Sequence, residues 1–180
     1  MKTIYEPAED SFFLSEILKN ILEKSNKKSE IKILEIGCGS GIQLQTIKKA
    51  GVKKGNILSC DINSEAVSHC KKLGFSSVKS DLFEKIKGKF DIITFNPPYL
   101  PEDKREPKDS KTATTGGKKG GELINKFLKQ AKSHLAKNGK IILLTSSLTQ
   151  GIKWQNYKKK LLGKKKFFFE ELRVWELKII

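Results

Sequence analysis

The chain is poor in sulfur, in acid and in long apolar runs. Three cysteines, Cys38, Cys60 and Cys70, are scattered through 180 residues without C-x-x-C spacing. An odd number so placed argues against a disulfide framework and for a reducing, cytoplasmic setting. There are two histidines, His69 and His134, and with the cysteines they lack tetrahedral ligand spacing, so no metal site is expected. No stretch approaches the roughly 18 apolar residues of a membrane-spanning helix. The opening Met1-Lys2-Thr3-Ile4-Tyr5 also lacks the apolar core of a secretory leader. The expectation is a protein that is neither secreted nor membrane-bound.

Acidic residues number 20 against 36 Lys and Arg, a formal charge of +16. Such an excess invites a nucleic-acid reading, because clustered cations release counterions from phosphate. Lysines nevertheless occupy nearly every polar stretch, and the one local excess is residues 151–180, with nine Lys or Arg against three Glu. The charge fits either a solvated Lys-rich surface or an electropositive face that meets RNA or a ribosomal complex. The apolar content of 37% suffices for one core, so residues 1–180 read as a single domain, with a helical lead-in over 1–30 and a long loop over 100–121.

From Ala8 to Lys24, Phe13, Ile17 and Ile21 recur at helical spacing beside Leu14, Leu18 and Leu22, behind Pro7 and the capping candidate Asp10. Ile31 to Ile36 reads as a short strand, and a helix follows to about Ala50. A second strand, Asn56 to Asp61, ends on an acid, and a helix from Ser64 to Leu73 precedes a third strand, Ser77 to Ser80. The fourth strand, Phe90 to Phe95, stops at tandem prolines, which cannot donate to a ladder. Leu123 to Leu135 is strongly amphipathic, and Asn138-Gly139 turns it into a strand over Lys140 to Thr145. Alternating strands and helices predict a parallel, doubly wound α/β sheet. In the tail, either Trp154, Tyr157 and Leu161 share a helical face before an antiparallel pair within Phe167 to Ile180, or Tyr157 to Leu162 is itself a strand. The second is preferred.

Two constellations carry chemistry. The first is a strand running into Glu35-x-Gly37-x-Gly39-x-Gly41 and then a helix. Glycine lets main chain come close to a ligand. A dinucleotide turn would space its glycines G-x-G-x-x-G, and here the third comes one residue early. The pattern suits a ligand without a pyrophosphate, such as the sulfonium nucleoside S-adenosylmethionine, with Glu35 near its ammonium end. Asp61 closes the second strand, where an acid can accept both ribose hydroxyls. Asp81 closes the third and can accept from the adenine amino group, with Leu82 against the ring.

The second constellation is Asn96-Pro97-Pro98-Tyr99. A residue before proline is held extended, so Asn96 is oriented, and the prolines bring no N–H to occupy nearby acceptors. An amide or exocyclic amine has two N–H donors. Bonding these to the Asn96 side-chain oxygen and the Pro97 carbonyl aims the nitrogen at a methyl group, while Tyr99 packs on the planar group. Acceptors of that kind include a protein amide and, alternatively, adenine-N6 or guanine-N2 amines of RNA or DNA.

Taken with Tyr5-Glu6-Pro7-Ala8-Glu9-Asp10-Ser11 and Gly116-Gly117-Lys118-Lys119-Gly120-Gly121-Glu122, these motifs resemble the HemK-type N5-glutamine methyltransferases over essentially the whole chain. They look most like the short archaeal and eukaryotic branch, since the first motif lies at residue 5 and leaves no room for the N-terminal helical domain of bacterial relatives. The resemblance implies a Rossmann-like class I fold, with a seven-stranded, mostly parallel sheet and an antiparallel C-terminal strand. It implies S-adenosyl-L-methionine as donor and S-adenosyl-L-homocysteine as product, held by Tyr5, Ser11, Glu35, Gly37, Cys38, Gly39, Gly41, Asp61, Ile62, Asp81, Leu82 and Asn96. Asn96, Pro97, Pro98 and Tyr99 would be catalytic. The implied substrate is the glutamine of the Gly-Gly-Gln loop of a peptide-chain release factor. The implied partner is a small zinc-binding activator of the Trm112 type. Two departures stand out: Thr114 and Thr115 where an aromatic commonly precedes the Gly-Gly, and Gly121 in place of the usual Arg.

Overall fold

The apolar runs become strands and the periodic stretches become helices. A computed structural model describes residues 4, 6–103 and 114–180. Its helices are α1 (Glu9–Glu23), α2 (Ile42–Lys49), α3 (Ser64–Lys72) and α4 (Glu122–Ala131). Its strands are β1 (Ile33–Ile36), β2 (Ile57–Asp61), β3 (Ser76–Lys79), β4 (Phe90–Phe95), β5 (Leu135–Ser146), β6 (Tyr157–Phe167) and β7 (Glu170–Ile179).

All seven strands join one sheet in the order β3-β2-β1-β4-β5-β7-β6. The first five run parallel, and β7 is antiparallel to both β5 and β6. Every residue of β1 is buried, as expected of a central parallel strand covered on both faces. On one face α1 supplies Phe13, Leu14, Leu18 and Leu22, and α2 supplies Leu44 and Ile47. On the other, α4 inserts Phe127 against Phe95 and Phe83, with ring centroids 4.8 and 5.6 Å away. The chain winds outward from β1 through β2 to β3 and, on the other side, from β4 to β5. The crevice at the carboxyl ends of β1 and β4 is therefore the topological switch point, where open α/β sheets bind ligands.

Three expectations are corrected. Asp10 does not cap α1: Ala8 holds that position without a side-chain cap, and Asp10 is buried in the first turn. The fifth strand starts at Leu135, and Asn138-Gly139 lies inside it, in a bulge between the pairs Phe90–Leu135 and Ile92–Lys140. In the tail the preferred reading holds, since Tyr157 to Leu162 lies in β6 rather than in a helix; the correction is to the two runs expected within Phe167 to Ile180, which holds only the end of β6 and one strand, β7. The hairpin is favoured because Gly163, a poor helix former, lets α1 lie against β6: a Cβ there would stand 2.9 Å from Ile17 Cδ1. The Tyr157 hydroxyl donates to the Leu128 carbonyl at 2.8 Å and ties β6 to α4. Among the described residues no helix is long and apolar enough to cross a membrane.

Candidate active site

Register assembles the site. Ile36 pairs with Cys60 on one side and Phe95 on the other, so Gly37, Asp61 and Asn96 leave three adjacent strands at one level. The glycine turn then folds over the end of β2: the Gly37 and Cys38 N–H groups donate to the Cys60 carbonyl at 2.8 and 3.1 Å. Asp61 completes the turn. Its carboxylate accepts from Gly39 N at 3.0 Å and from Asn63 N at 2.8 Å.

The glycines divide the work. Gly37 and Gly39 have φ of +70° and +45°, and a Cβ at Gly39 would meet nothing within 4 Å, so the turn faces open space there. Gly41, with φ of +76°, faces α3 instead: a Cβ would stand 3.1 Å from Leu73 and 3.2 Å from the Cys70 sulfur. Its role is packing. The Cys38 thiol also points inward, and a hydrogen bond with Cys70, together with burial, pushes its pKa far up. Only main chain at Cys38 can serve a ligand.

Glu35 lies beneath this turn, 3% exposed, and its Oε2 has no hydrogen-bond partner. Burial first, then the neighbouring Cys38 and Asp61, hold its carboxyl well above the usual carboxylate range. A buried carboxyl without a donor is costly unless a cation completes it.

Asp81 and Leu82 follow β3. Asp81 Oδ2 accepts from Lys126 Nζ of α4 at 2.6 Å, a bond that raises the lysine pKa. Leu82 has a positive φ of +49°, its side chain is buried, and its carbonyl accepts from the Cys60 thiol. Ile62, by contrast, is 58% exposed beside Asp61, an apolar face on the crevice rim. Ser11 is buried in the first turn of α1, and its carbonyl accepts from Gln43 Nε2 of α2 at 2.9 Å. Tyr5 lies outside the described residues.

At the end of β4, Asn96 Nδ2 donates to Asp10 Oδ2 at 2.9 Å. A carboxylate only accepts, so this bond fixes which end of the carboxamide faces α1. Asn96 Oδ1 is buried and has no partner. Pro97 is buried behind it, and Tyr99 packs between the two core clusters while its carbonyl accepts from Thr149 Oγ1 at 3.0 Å. The glycine-rich segment after the long loop braces this turn. Gly116 N donates to the Leu100 carbonyl, and a Cβ at Gly120, where φ is +83°, would run into the Tyr99 carbonyl. Gly121 is similarly crowded by the Gln150 carbonyl, which explains a glycine where the related pattern has Arg. The middle of the loop, 104–113, lies outside the described residues. Asp10, Lys126, Gln43 and Thr149 are the contacts that sequence reasoning missed.

Residues 13–154 match the methyltransferase small domain family. A protein of Methanocaldococcus jannaschii assigned as a protein N5-glutamine methyltransferase is 40% identical over 97% of this chain and 92% of its own length. The chain belongs to the protein N5-glutamine methyltransferase family. This methyltransferase is also 32% identical to the Schizosaccharomyces pombe eRF1 methyltransferase catalytic subunit, over 76% of this chain and 69% of that one. Among solved structures it resembles the E. cuniculi Mtq2–Trm112 complex, described as responsible for methylation of the eRF1 translation termination factor. The TM-score is 0.76 at 23% identity, covering 99% of this chain and 100% of that one. The methyl donor is S-adenosylmethionine, and the residues present fit it: the unpartnered Glu35 Oε2 suits an ammonium, and the space over Gly39 admits a ligand against main chain.

Proposed function

We propose that this methyltransferase modifies the side-chain amide nitrogen of the glutamine in the Gly-Gly-Gln loop of a translation termination factor. The single observation that carries the reading is the Asn96 carboxamide, locked by Asp10 through Nδ2 and left with a buried, unpartnered Oδ1. Such an oxygen can accept one N–H of a primary amide, and the Pro97 carbonyl is the natural acceptor for the other. Tyr99 would flank the amide plane. Bound S-adenosylmethionine supplies an electrophilic methyl on a sulfonium. The protein's contribution would be to hold the nitrogen in line as its bond to the methyl forms and the methyl–sulfur bond breaks, and to strengthen the two hydrogen bonds as positive charge develops on the nitrogen, which then loses one of its two protons.

Glu35 would take the donor's ammonium, Asp61 its ribose hydroxyls, and Ile62 and Asp81 its adenine. Asp61 is held for this by Gly39 N and Asn63 N, and Asp81 by Lys126. The similarity to the fission yeast enzyme and to the Mtq2–Trm112 complex supports a termination factor as substrate and a small zinc-binding activator as partner. A cytoplasmic location fits both.

The formal charge of +16 favours a second reading, methylation of adenine or guanine amines in RNA or DNA. One experiment separates them. The enzyme with its activator is incubated with donor and purified release factor, with and without ribonuclease, and products are read by mass spectrometry. Methylglutamine in the Gly-Gly-Gln peptide, insensitive to ribonuclease, is expected. Methylated nucleobases with unmodified glutamine would establish the second reading.

A further inference from the structure

The geometry points to the β6–β7 hairpin tip, Phe168-Phe169, as a docking knob for the body of the protein substrate. The inference rests on the release-factor reading above. Phe167 pairs with Glu170, so the turn has only two residues. Two-residue turns with a positive φ at the first position favour Gly there. Phe168 nevertheless takes φ of +46°, a conformation strained for a bulky side chain. Both rings face solvent, Phe168 at 93% exposure and Phe169 at 83%. The tip thus violates the local turn rule and the burial rule together, with no contact among the described residues to offset either.

Topology places the tip on the working edge of the sheet. β7 is antiparallel to β5 and pairs Leu172 with Ser146, so its start lies at the carboxyl end of β5, on the same edge of the sheet as the end of β4 and beyond it. Phe95 is level with Leu143 and Trp175, so the tip stands six to seven residues farther along β7 and two to three strand spacings across, roughly 20 to 25 Å from the end of β4. The connection is braced: Ser146 Oγ donates to Glu170 Oε2, Ser147 N to the Glu171 carbonyl, and Thr149 Oγ1 to the Tyr99 carbonyl. A folded substrate that inserts one glutamine at Asn96 is large enough to span this distance and rest its body on the tip.

Charge identifies the complementary face. Lys164, Lys165 and Lys166 lead into the tip, and Lys165 Nζ lies 5.1 Å over the Phe167 ring. Across the turn Glu171 pairs with Lys164 and Arg173, and Glu170 accepts from Ser146, so the positive charge beside the rings is that of Lys165 and Lys166; an aromatic anchor with cations on one flank fits an apolar patch with an acidic margin on a folded protein.

The test replaces the tip by residues its turn prefers, Phe168→Gly with Phe169→Ser, in enzyme carrying its activator. We expect a melting temperature equal to or above wild type, unchanged donor affinity and unchanged kcat on full-length release factor. KM for that protein should rise at least tenfold. A protein KM within twofold of wild type, or a lowered melting temperature with kcat reduced in parallel, would overturn the knob. So would a concentration-dependent wild-type dimer that the double variant dissolves, since the occupant would then be a second copy. Absence of methyl transfer to the release factor by wild type would overturn both readings. Transfer that is equal in wild type and variant overturns only this one.

Discussion

Asn96 Nδ2 reaches Asp10 Oδ2 at 2.9 Å across 86 residues of sequence. The helix that opens the chain therefore sets the orientation of the group expected to hold the acceptor nitrogen. Asp10→Ala should leave the carboxamide free to rotate and lower kcat by about 10-fold to 100-fold, with donor affinity little changed. Asp10→Asn, which can present its amide oxygen to Asn96, should lose less. Steady-state kinetics on both variants checks the order, and equal losses would argue against orientation.

Glu35 ties stability to pH. Its carboxyl is raised in the folded state, so it destabilises the donor-free fold as pH climbs above the ordinary glutamate value of roughly 4.3, and it does not below. Glu35→Gln should melt near wild type at low pH and progressively higher than wild type toward neutral and alkaline pH. It should also bind S-adenosylmethionine more weakly, by about 1.5 to 3 kcal/mol for a lost hydrogen bond to a charge. Thermal melts across pH and titration calorimetry read the two effects, which must run in opposite directions.

Asp61 does two jobs, and removal should show both. Asp61→Ala deprives Gly39 N and Asn63 N of their acceptor, at about 0.5 to 1.5 kcal/mol each. With roughly 2 to 4 °C per kcal/mol for a chain of this size, the melting point should fall by several degrees. Donor affinity should fall about tenfold or more. An unchanged melting point with weakened binding would mean that the turn holds itself.

Gly120→Ala probes the brace behind the Asn96-Pro97-Pro98-Tyr99 turn. The added methyl would strike the Tyr99 carbonyl at a backbone conformation that disfavours side chains, displacing one segment from the other. Turnover on the protein substrate should drop about tenfold while donor affinity holds. A variant that loses donor binding equally would show that the two half-sites are coupled.

The parallel half of the sheet was legible because each buried strand is an apolar run that ends on a chemistry-bearing residue: Ile33 to Ile36 before Gly37, Ile57 to Cys60 before Asp61, Phe90 to Phe95 before Asn96. The glycine turn was legible for the same reason, since few residues other than Gly adopt its conformation. Asp10 reads as a cap because Asp near a helix start ordinarily is one, whereas the partner that recruits it, Asn96, lies at the end of β4. Lys126 was invisible as one lysine among many. The β6 strand was ambiguous because Tyr157, Leu161 and Trp154 satisfy a helical period while Gly163 satisfies only the close approach of α1, a tertiary fact. Gly121 departs from the related pattern in sequence, and the Gln150 carbonyl that crowds it is a tertiary neighbour.

The glycine turn has a chemical clock built into it. Cys38 and Cys70 are both buried, and the Cys70 thiol lies 3.7 Å from the Gly39 carbonyl as donor to it. Neither sulfur meets a reagent in solution while the turn is closed, and the raised pKa of Cys38 keeps it unreactive as well. Alkylation must wait for the turn to lift from α3. The rate at which Cys38 and Cys70 are modified in the wild-type protein therefore counts openings of the glycine turn directly, with no introduced label, and should slow in proportion to how much of the time a bound donor holds that turn down.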